Sequence, residues 1–229
     1  PQSSCDCFQI KKLHKEIFSM QNPRKKANSK GEEYLILASG SPRRSQILTE
    51  VGMKHEVVLP QGGEITSHPS GPLDLVLENA KMKALEVSCR YPDRWVLGAD
   101  TMVALNEKVF GKPNDLNEAK EMLMSLSGKT HRVSTGVCLT QKAEGFLKTK
   151  VESSEVKFKD LDEKIIDGYF LEVDPLDKAG AYGLQTRADL IIEKFSGSKT
   201  NVIGLPIELI EGWLLQILTN SSTLSKKVL

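Results

Sequence analysis

The sequence predicts an α/β fold with a mixed, twisted sheet flanked by helices, and three observations predict it. Short apolar runs alternate with helix-period segments toward both ends of the chain. Between them the period drops to two over His131–Thr140 and Phe146–Phe158, around a turn at Lys142–Gly145, which marks a long antiparallel hairpin. The 229 residues, 39% of them hydrophobic, suffice for one core or for two closely joined lobes.

Each element follows in order. Tyr34–Ser39 is a short apolar run and reads as a buried strand. Pro42–Val51 reads as a helix and His55–Leu59 as a second strand. Pro60–Pro72 is a Gly/Pro-rich loop. Leu73–Arg90 has helical periodicity, with Leu77, Ala80, Ala84, Leu85 and Cys89 expected on the buried side. Trp95–Ala99 is another buried strand, continued by Thr101–Leu105. Asp115–Leu126 is a helix with Asn114 as its expected cap. After the hairpin, Asp160–Val173 is helical and Asp174-Pro175 breaks it. Leu190–Phe195 reads as a strand, and Pro206 opens a last apolar helix to about Thr219. No internal repeat is visible.

Residues 1–33 differ from the rest. Lys11, Lys12, Lys15, Arg24, Lys25, Lys26 and Lys30 face only Glu16 between positions 9 and 30. They read as a basic, flexible tail, with 34–220 as the folded domain and 221–229 as a C-terminal tail. The formal net charge is only +1, so a nucleic-acid polymer is not an expected partner. Any anion site must be a local cluster. Cys5, Cys7, Cys89 and Cys138 lack zinc-ligand spacing, and a reducing, cytoplasmic setting is expected. No apolar run reaches the length of a membrane span.

Four constellations carry chemistry. The first is Ala38-Ser-Gly-Ser-Pro-Arg-Arg44, a strand running into a helix through small residues. Ser41 is a suitable N-cap and Pro42 a suitable first helical residue. Arg43 and Arg44 then lie in the first turn, where the helix dipole disfavours cations unless an anion joins them. With Ser39 and the free backbone N–H groups they suggest a phosphate cradle. The second is Trp95–Thr101, an apolar strand that delivers Asp100 at its end. Asp100 is placed to hold a divalent ion or take a proton from water, or simply to cap a turn.

The third set is Glu64 in the Gly-rich loop, Lys83 on the next helix, and Lys112 before Pro113. Surface Lys and Glu are ordinarily just solvated, so these bear on function only if the fold gathers them at Asp100. The fourth is Asp177-Lys-Ala-Gly-Ala-Tyr-Gly-Leu-Gln185, where small residues leave backbone open to a flat ligand. Gln185 offers one donor and one acceptor group, but an amide can flip and does not by itself choose a base. No G-x-x-x-x-G-K-[ST] or G-x-G-x-x-G motif occurs, which argues against P-loop and Rossmann readings.

Taken in order, these pieces resemble the Maf family of nucleotide pyrophosphatases. The matching segments are Leu37–Arg44, Gly98–Thr101, Gly111–Pro113, Leu126–Gly128 with His131, Thr135–Val137, Asp177–Gly183 and Asn201–Pro206. The resemblance spans about residues 34–219. It implies two lobes around a deep cleft, in the Maf/Ham1, ITPase-like architecture. It implies a divalent cation (Mg2+, Mn2+ or Co2+), a nucleoside triphosphate substrate and a homodimer.

Residue by residue, Ser39, Arg43 and Arg44 match the family's phosphate-binding positions. Asp100 matches its essential acidic residue, Lys83 and Lys112 its two lysines, and Glu64 the acidic residue after the second strand. The reaction implied is metal-assisted attack of water on the α-phosphorus. The segment ending in Gln185 is similar to the branch acting on dTTP and UTP; the alternatives are 7-methyl-GTP or CTP, or a non-catalytic regulator using the same pocket. Two places depart from the family pattern. Gln61-Gly-Gly-Glu64 is less acidic, and Thr186-Arg-Ala-Asp189 stands where the family is richer in glycine.

Overall fold

The computed structural model describes residues 34–225, with side chains to residue 217. The expected basic tail over 1–33 lies outside the described residues. The strands are β1 Leu35–Ala38, β2 His55–Val57, β3 Val96–Leu105, β4 Lys108–Phe110, β5 Thr130–Gln141, β6 Phe146–Phe158 and β7 Ile192–Ser196. The α-helices are α1 Pro42–Glu50, α2 Pro72–Arg90, α3 Leu116–Leu126, α4 Glu163–Phe170, α5 Ala188–Ile191, α6 Lys199–Ile203 and α7 Ile207–Ser225. Short 3₁₀ turns occupy Lys142–Glu144 and Ala179–Ala181.

Seven strands among the described residues form one mixed sheet, ordered β2-β1-β3-β5-β6-β7 with β4 also on β3. β1 is parallel to β2 and β3, and the remaining pairs are antiparallel. The expected hairpin is β5–β6, closed by Gly145 in the left-handed region at φ 62°.

β3 is the long central strand, and its two edges differ. β5 pairs with one edge from Val96 to Ala104. The other edge is shared: β1 takes Val96–Gly98 and β4 takes Val103–Leu105. Ala99–Met102 therefore have no strand beside them on that edge, and Asp100 falls in the gap.

The gap separates two lobes. In one, Leu37, Leu97 and Leu139 of the sheet pack on Ile47 and Leu48 of α1 and on Ile210, Trp213 and Leu214 of α7. In the other, Val103, Phe110, Val133 and Phe158 pack on Leu123 of α3, Ile166 and Tyr169 of α4 and Tyr182. α2 covers the opposite face of the first lobe, where Ala80, Ala84 and Val87 meet Ile36, Ala38, Val96 and Cys138.

Glycine lets α2 lie directly on the sheet backbone. A Cβ at Gly98 would stand 2.3 Å from the Ala80 carbonyl oxygen, and one at Gly136 would stand 2.3 Å from that of Val76. Close helix–strand contact of this kind requires glycine.

Several local expectations change. The buried face of α2 is Val76, Asn79, Ala80, Ala84, Val87 and Ser88, while Leu85 and Cys89 point outward. The expected Ala80 and Ala84 are fully buried, and Gly98 lets the helix backbone close in beside them, which turns the inward face toward Val76 and Val87 and away from Leu85 and Cys89. Asp115, not Asn114, caps α3 by accepting from the Glu118 N–H at 2.8 Å; Asn114 instead donates to the Glu118 carboxylate. α4 is shorter than expected, and β4, α5 and α6 were not anticipated, being too short to show a period.

Candidate active site

β1 ends at Ala38 and the chain turns through Ser39–Ser41 into α1. Ser41 occupies the N-cap position, but its side chain makes no capping bond. Ser39 Oγ takes over, accepting from the Ser41 N–H at 3.2 Å and from Arg44 Nη1 at 2.8 Å. Arg44 is nearly buried. Its Nε donates to the Gly204 carbonyl at 2.9 Å and its Nη2 to Thr101 Oγ1 at 3.0 Å. Burial lowers its pKa, and the carboxylates of Asp100 and Glu64 act the other way. Arg43 turns outward to the Asp177 carboxylate, and its Nη2 donates to the Asp177 carbonyl at 3.0 Å.

Asp100 lies on the α2 side of the gap. Lys83 Nζ donates to its Oδ1 at 2.8 Å, and Asn79 Nδ2 to its Oδ2 at 3.1 Å. Asn79 and Lys83 are one turn apart on α2, and the glycine contacts bring that face within reach. Asn79 also clasps the preceding loop. Its Oδ1 accepts from the Ile65 N–H at 2.9 Å and its Nδ2 donates to the Ile65 carbonyl at 3.0 Å.

That clasp holds Glu64 beside Lys83, with Nζ–Oε1 at 2.5 Å. The ammonium thus bridges two carboxylates. Partial burial raises the Glu64 pKa, but the Lys83 hydrogen bond, with the charges of Lys83, Lys112 and Arg44, holds it below the usual range. Asn79 escaped the sequence reading; its spacing of four from Lys83 on one helix was the available signal.

The segment Asp177–Gln185 forms the far wall. Asp177 accepts from Lys178 Nζ at 2.5 Å as well as from Arg43. Partial burial raises its pKa, yet Lys178 and Arg43 bring it below the usual range. Tyr182 anchors the segment on β5: its hydroxyl lies 2.7 Å from His131 Nε2. Burial lowers the His131 pKa to about 4, so the ring is neutral at pH 7. Tyr169 Oη accepts from the Gly183 N–H at 3.1 Å. Gln185 is exposed, and its Nε2 donates to Gln46 Oε1 at 3.2 Å. Beyond it, Arg187 sits in the left-handed region at φ 49°, where glycine would be unstrained, and its guanidinium pairs with Glu172.

Ser39, Arg43, Arg44, Glu64, Lys83, Asp100, Lys112 and Gln185 all line one cleft of about 770 Å³. Five cations, Lys178 included, face three carboxylates there. The whole chain carries +1, so the positive field is local to the cleft. Such a site attracts a polyanion while keeping carboxylates for proton or cation chemistry.

Fold and site together define a mixed α/β protein with one deep, cation-rich cleft that carries a carboxylate pair. The chain belongs to the Maf-like protein family, whose pattern it matches over residues 34–217. The "dTTP/UTP pyrophosphatase" of Bacillus cereus is 43% identical over 173 residues, covering 76% of this chain and 84% of that one. The protein of the same name in Bacillus cytotoxicus is 44% identical over 172 residues, covering 75% and 89%. Among solved structures, the Ham1 protein of Staphylococcus aureus aligns at 14% identity and a TM-score of 0.44, covering 80% of this chain and 99% of that one. No helix among the described residues is long and apolar enough to cross a membrane.

Proposed function

We propose that this chain is a nucleoside triphosphate pyrophosphatase that hydrolyses UTP and dTTP to the monophosphate and pyrophosphate. The observation that carries the reading is the convergence of Arg43, Arg44, Lys83 and Lys112 with Asp100 and Glu64 in one cleft. The names of the Bacillus relatives support the same reaction and base class.

A divalent cation belongs to this reading, and the donor set fits one. Among the described residues no group of three or more His, Cys, Asp or Glu forms a closed cage. Two adjacent carboxylates are what Mg2+, or in its place Mn2+ or Co2+, uses when phosphate oxygens complete its shell. Asp100 and Glu64 would hold it. Bound there, the ion would supply Lewis-acid polarisation of the phosphate and acidify water.

The chain's own groups do the rest. Ser39, Arg43 and Arg44 bind the triphosphate, with Arg44 pre-set by its three protein contacts. Asp100 orients the attacking water and accepts its proton; each of its oxygens keeps a lone pair beyond the Lys83 and Asn79 bonds. The water oxygen bonds to the α-phosphorus, the bond from that phosphorus to the bridging oxygen breaks, and pyrophosphate leaves. Lys83 and Lys112 neutralise the charge that grows on the departing group. Gln185 meets the base. A cytoplasmic setting and a homodimer complete the reading; the free thiols of Cys89 and Cys138 suit a reducing compartment.

The test is hydrolysis of UTP in H₂¹⁸O with product analysis. UMP and pyrophosphate should appear together, with the label in UMP. Initial formation of UDP and orthophosphate, or label in pyrophosphate, would overturn the reading.

A further inference from the structure

The exposed face of α1 carries a polar chain that the reaction does not use. Gln46 lies one turn beyond Arg43, and Glu50 one turn beyond Gln46. Gln46 Nε2 donates to Glu50 Oε1 at 2.8 Å. Gln185 Nε2 donates to Gln46 Oε1 at 3.2 Å, joining two residues 139 positions apart beside the cleft that Gln185 lines.

The polarity of this chain follows from its first member. A carboxylate at neutral pH only accepts hydrogen bonds, so Glu50 must take the Gln46 NH₂ group. The Gln46 carbonyl is thereby turned to Gln185, where it too can only accept. It takes the Gln185 NH₂ group. One end of the Gln185 amide remains: Oε1, an acceptor with no protein partner among the described residues, on a side chain that lines the cleft.

We infer that Glu50 and Gln46 are specificity-determining positioning residues, which fix the Gln185 amide so that its carbonyl oxygen is presented to the base. Uracil and thymine carry N3–H, a donor that this oxygen can accept. Cytosine carries a bare N3, an acceptor that it opposes. The relay removes the ambiguity of a freely flipping amide and selects the imide bases. It rests on the uridine and thymidine reading above and deepens it by assigning the residues that set the choice.

The experiment uses the full chain and compares kcat/KM for UTP, CTP and N3-methyl-UTP on wild type, Gln46→Glu, Gln46→Leu and Gln46→Lys. Thermal midpoints check that each variant folds. N3-methyl-UTP keeps both carbonyls but lacks the donor, so wild type should reject it along with CTP. Gln46→Glu still offers Gln185 an acceptor and should keep the UTP/CTP ratio within about threefold. Gln46→Leu releases the amide and should lower that ratio about tenfold. Gln46→Lys offers a donor, turns Gln185 the other way, and should lower the ratio further still. A merely structural role would change both substrates alike and leave the ratio in place. A wild type that discriminates, with a ratio that survives both Leu and Lys, would overturn the relay alone. So would a Glu variant as permissive as the Leu variant. A wild type that turns over UTP and CTP equally would overturn the base reading and the relay with it.

Discussion

The two ends of the cleft are built differently. At the phosphate end Arg44, Lys83 and Asp100 are held by several partners and lie inside the protein, with Lys83 11% exposed and Asp100 15%, while Glu64 and Lys112 stay exposed. Arg44 spends three nitrogens on protein oxygens. At the base end Gln185, Gln46 and Glu50 are exposed and joined by single hydrogen bonds. Water competes for exposed bonds, so each is worth little alone, whereas buried charges acting together are worth much. On the proposed reaction, rate enhancement would belong to one end and discrimination to the other, and substitutions should separate them.

The largest effect is expected at the phosphate end. Asp100→Asn keeps the shape but removes the charge that, in the proposed reaction, orients water and takes its proton. Turnover of UTP should fall by about 10²-fold or more, with the thermal midpoint little changed. Near-normal turnover would remove Asp100 from the chemistry and break the division between the two ends.

A smaller effect concerns the anchor of the base wall. His131 is buried and neutral, with its pKa lowered from 6.5 to about 4. The unfolded chain takes up a proton between those values and the folded chain does not. Stability is therefore full above pH 6.5 and is lost as pH falls toward 4. At about 1.4 kcal/mol per pH unit, the loss at pH 5 is about 2 kcal/mol. Urea denaturation of wild type and His131→Phe at pH 7.5 and pH 5 checks this. The variant should lose less stability between the two pH values by about that amount, and an equal loss in both would show that His131 does not titrate in this window.

The smallest effect is expected at the base end. Gln185→Ala should narrow the UTP/CTP ratio in kcat/KM by about tenfold, while kcat for UTP falls by less than about threefold. A loss shared equally by UTP and CTP would place Gln185 in phosphate handling and blur the comparison.

The same division decides what the sequence made legible. The strand-to-helix turn at Ala38–Arg44 is a short-range pattern, readable because strand ends and helix starts have local signatures; Asp100 was expected at a strand end but lies inside β3, and only the partner-free stretch of one edge exposes it. The gathering of Glu64, Lys83 and Lys112 was not readable from their residue types. It depends on the Asn79 clasp and on the unpaired stretch of β3. The Arg43–Asp177 and Gln46–Gln185 contacts join positions 134 and 139 residues apart, and no periodicity reports such pairs. Nor did composition show that Arg187 would stand in the left-handed region; its pairing with Glu172 is a tertiary fact.

Gly98 and Gly136 carry no charge and no reactive group, yet they set a length. Because α2 meets bare peptide groups at these two positions, with side chains packing on either side of them, its distance from β3 is set there by the backbone itself. Asn79 and Lys83 reach Asp100 from that fixed standoff. A lysine stem could stretch to cover a shift in the helix, but the short amide of Asn79 has no such slack. The clasp on Ile65, and the placement of Glu64 with it, would be the first thing lost. In sequence drift, one methyl group at either glycine acts as a change of ruler, so two chemically silent positions are among the least replaceable in the chain.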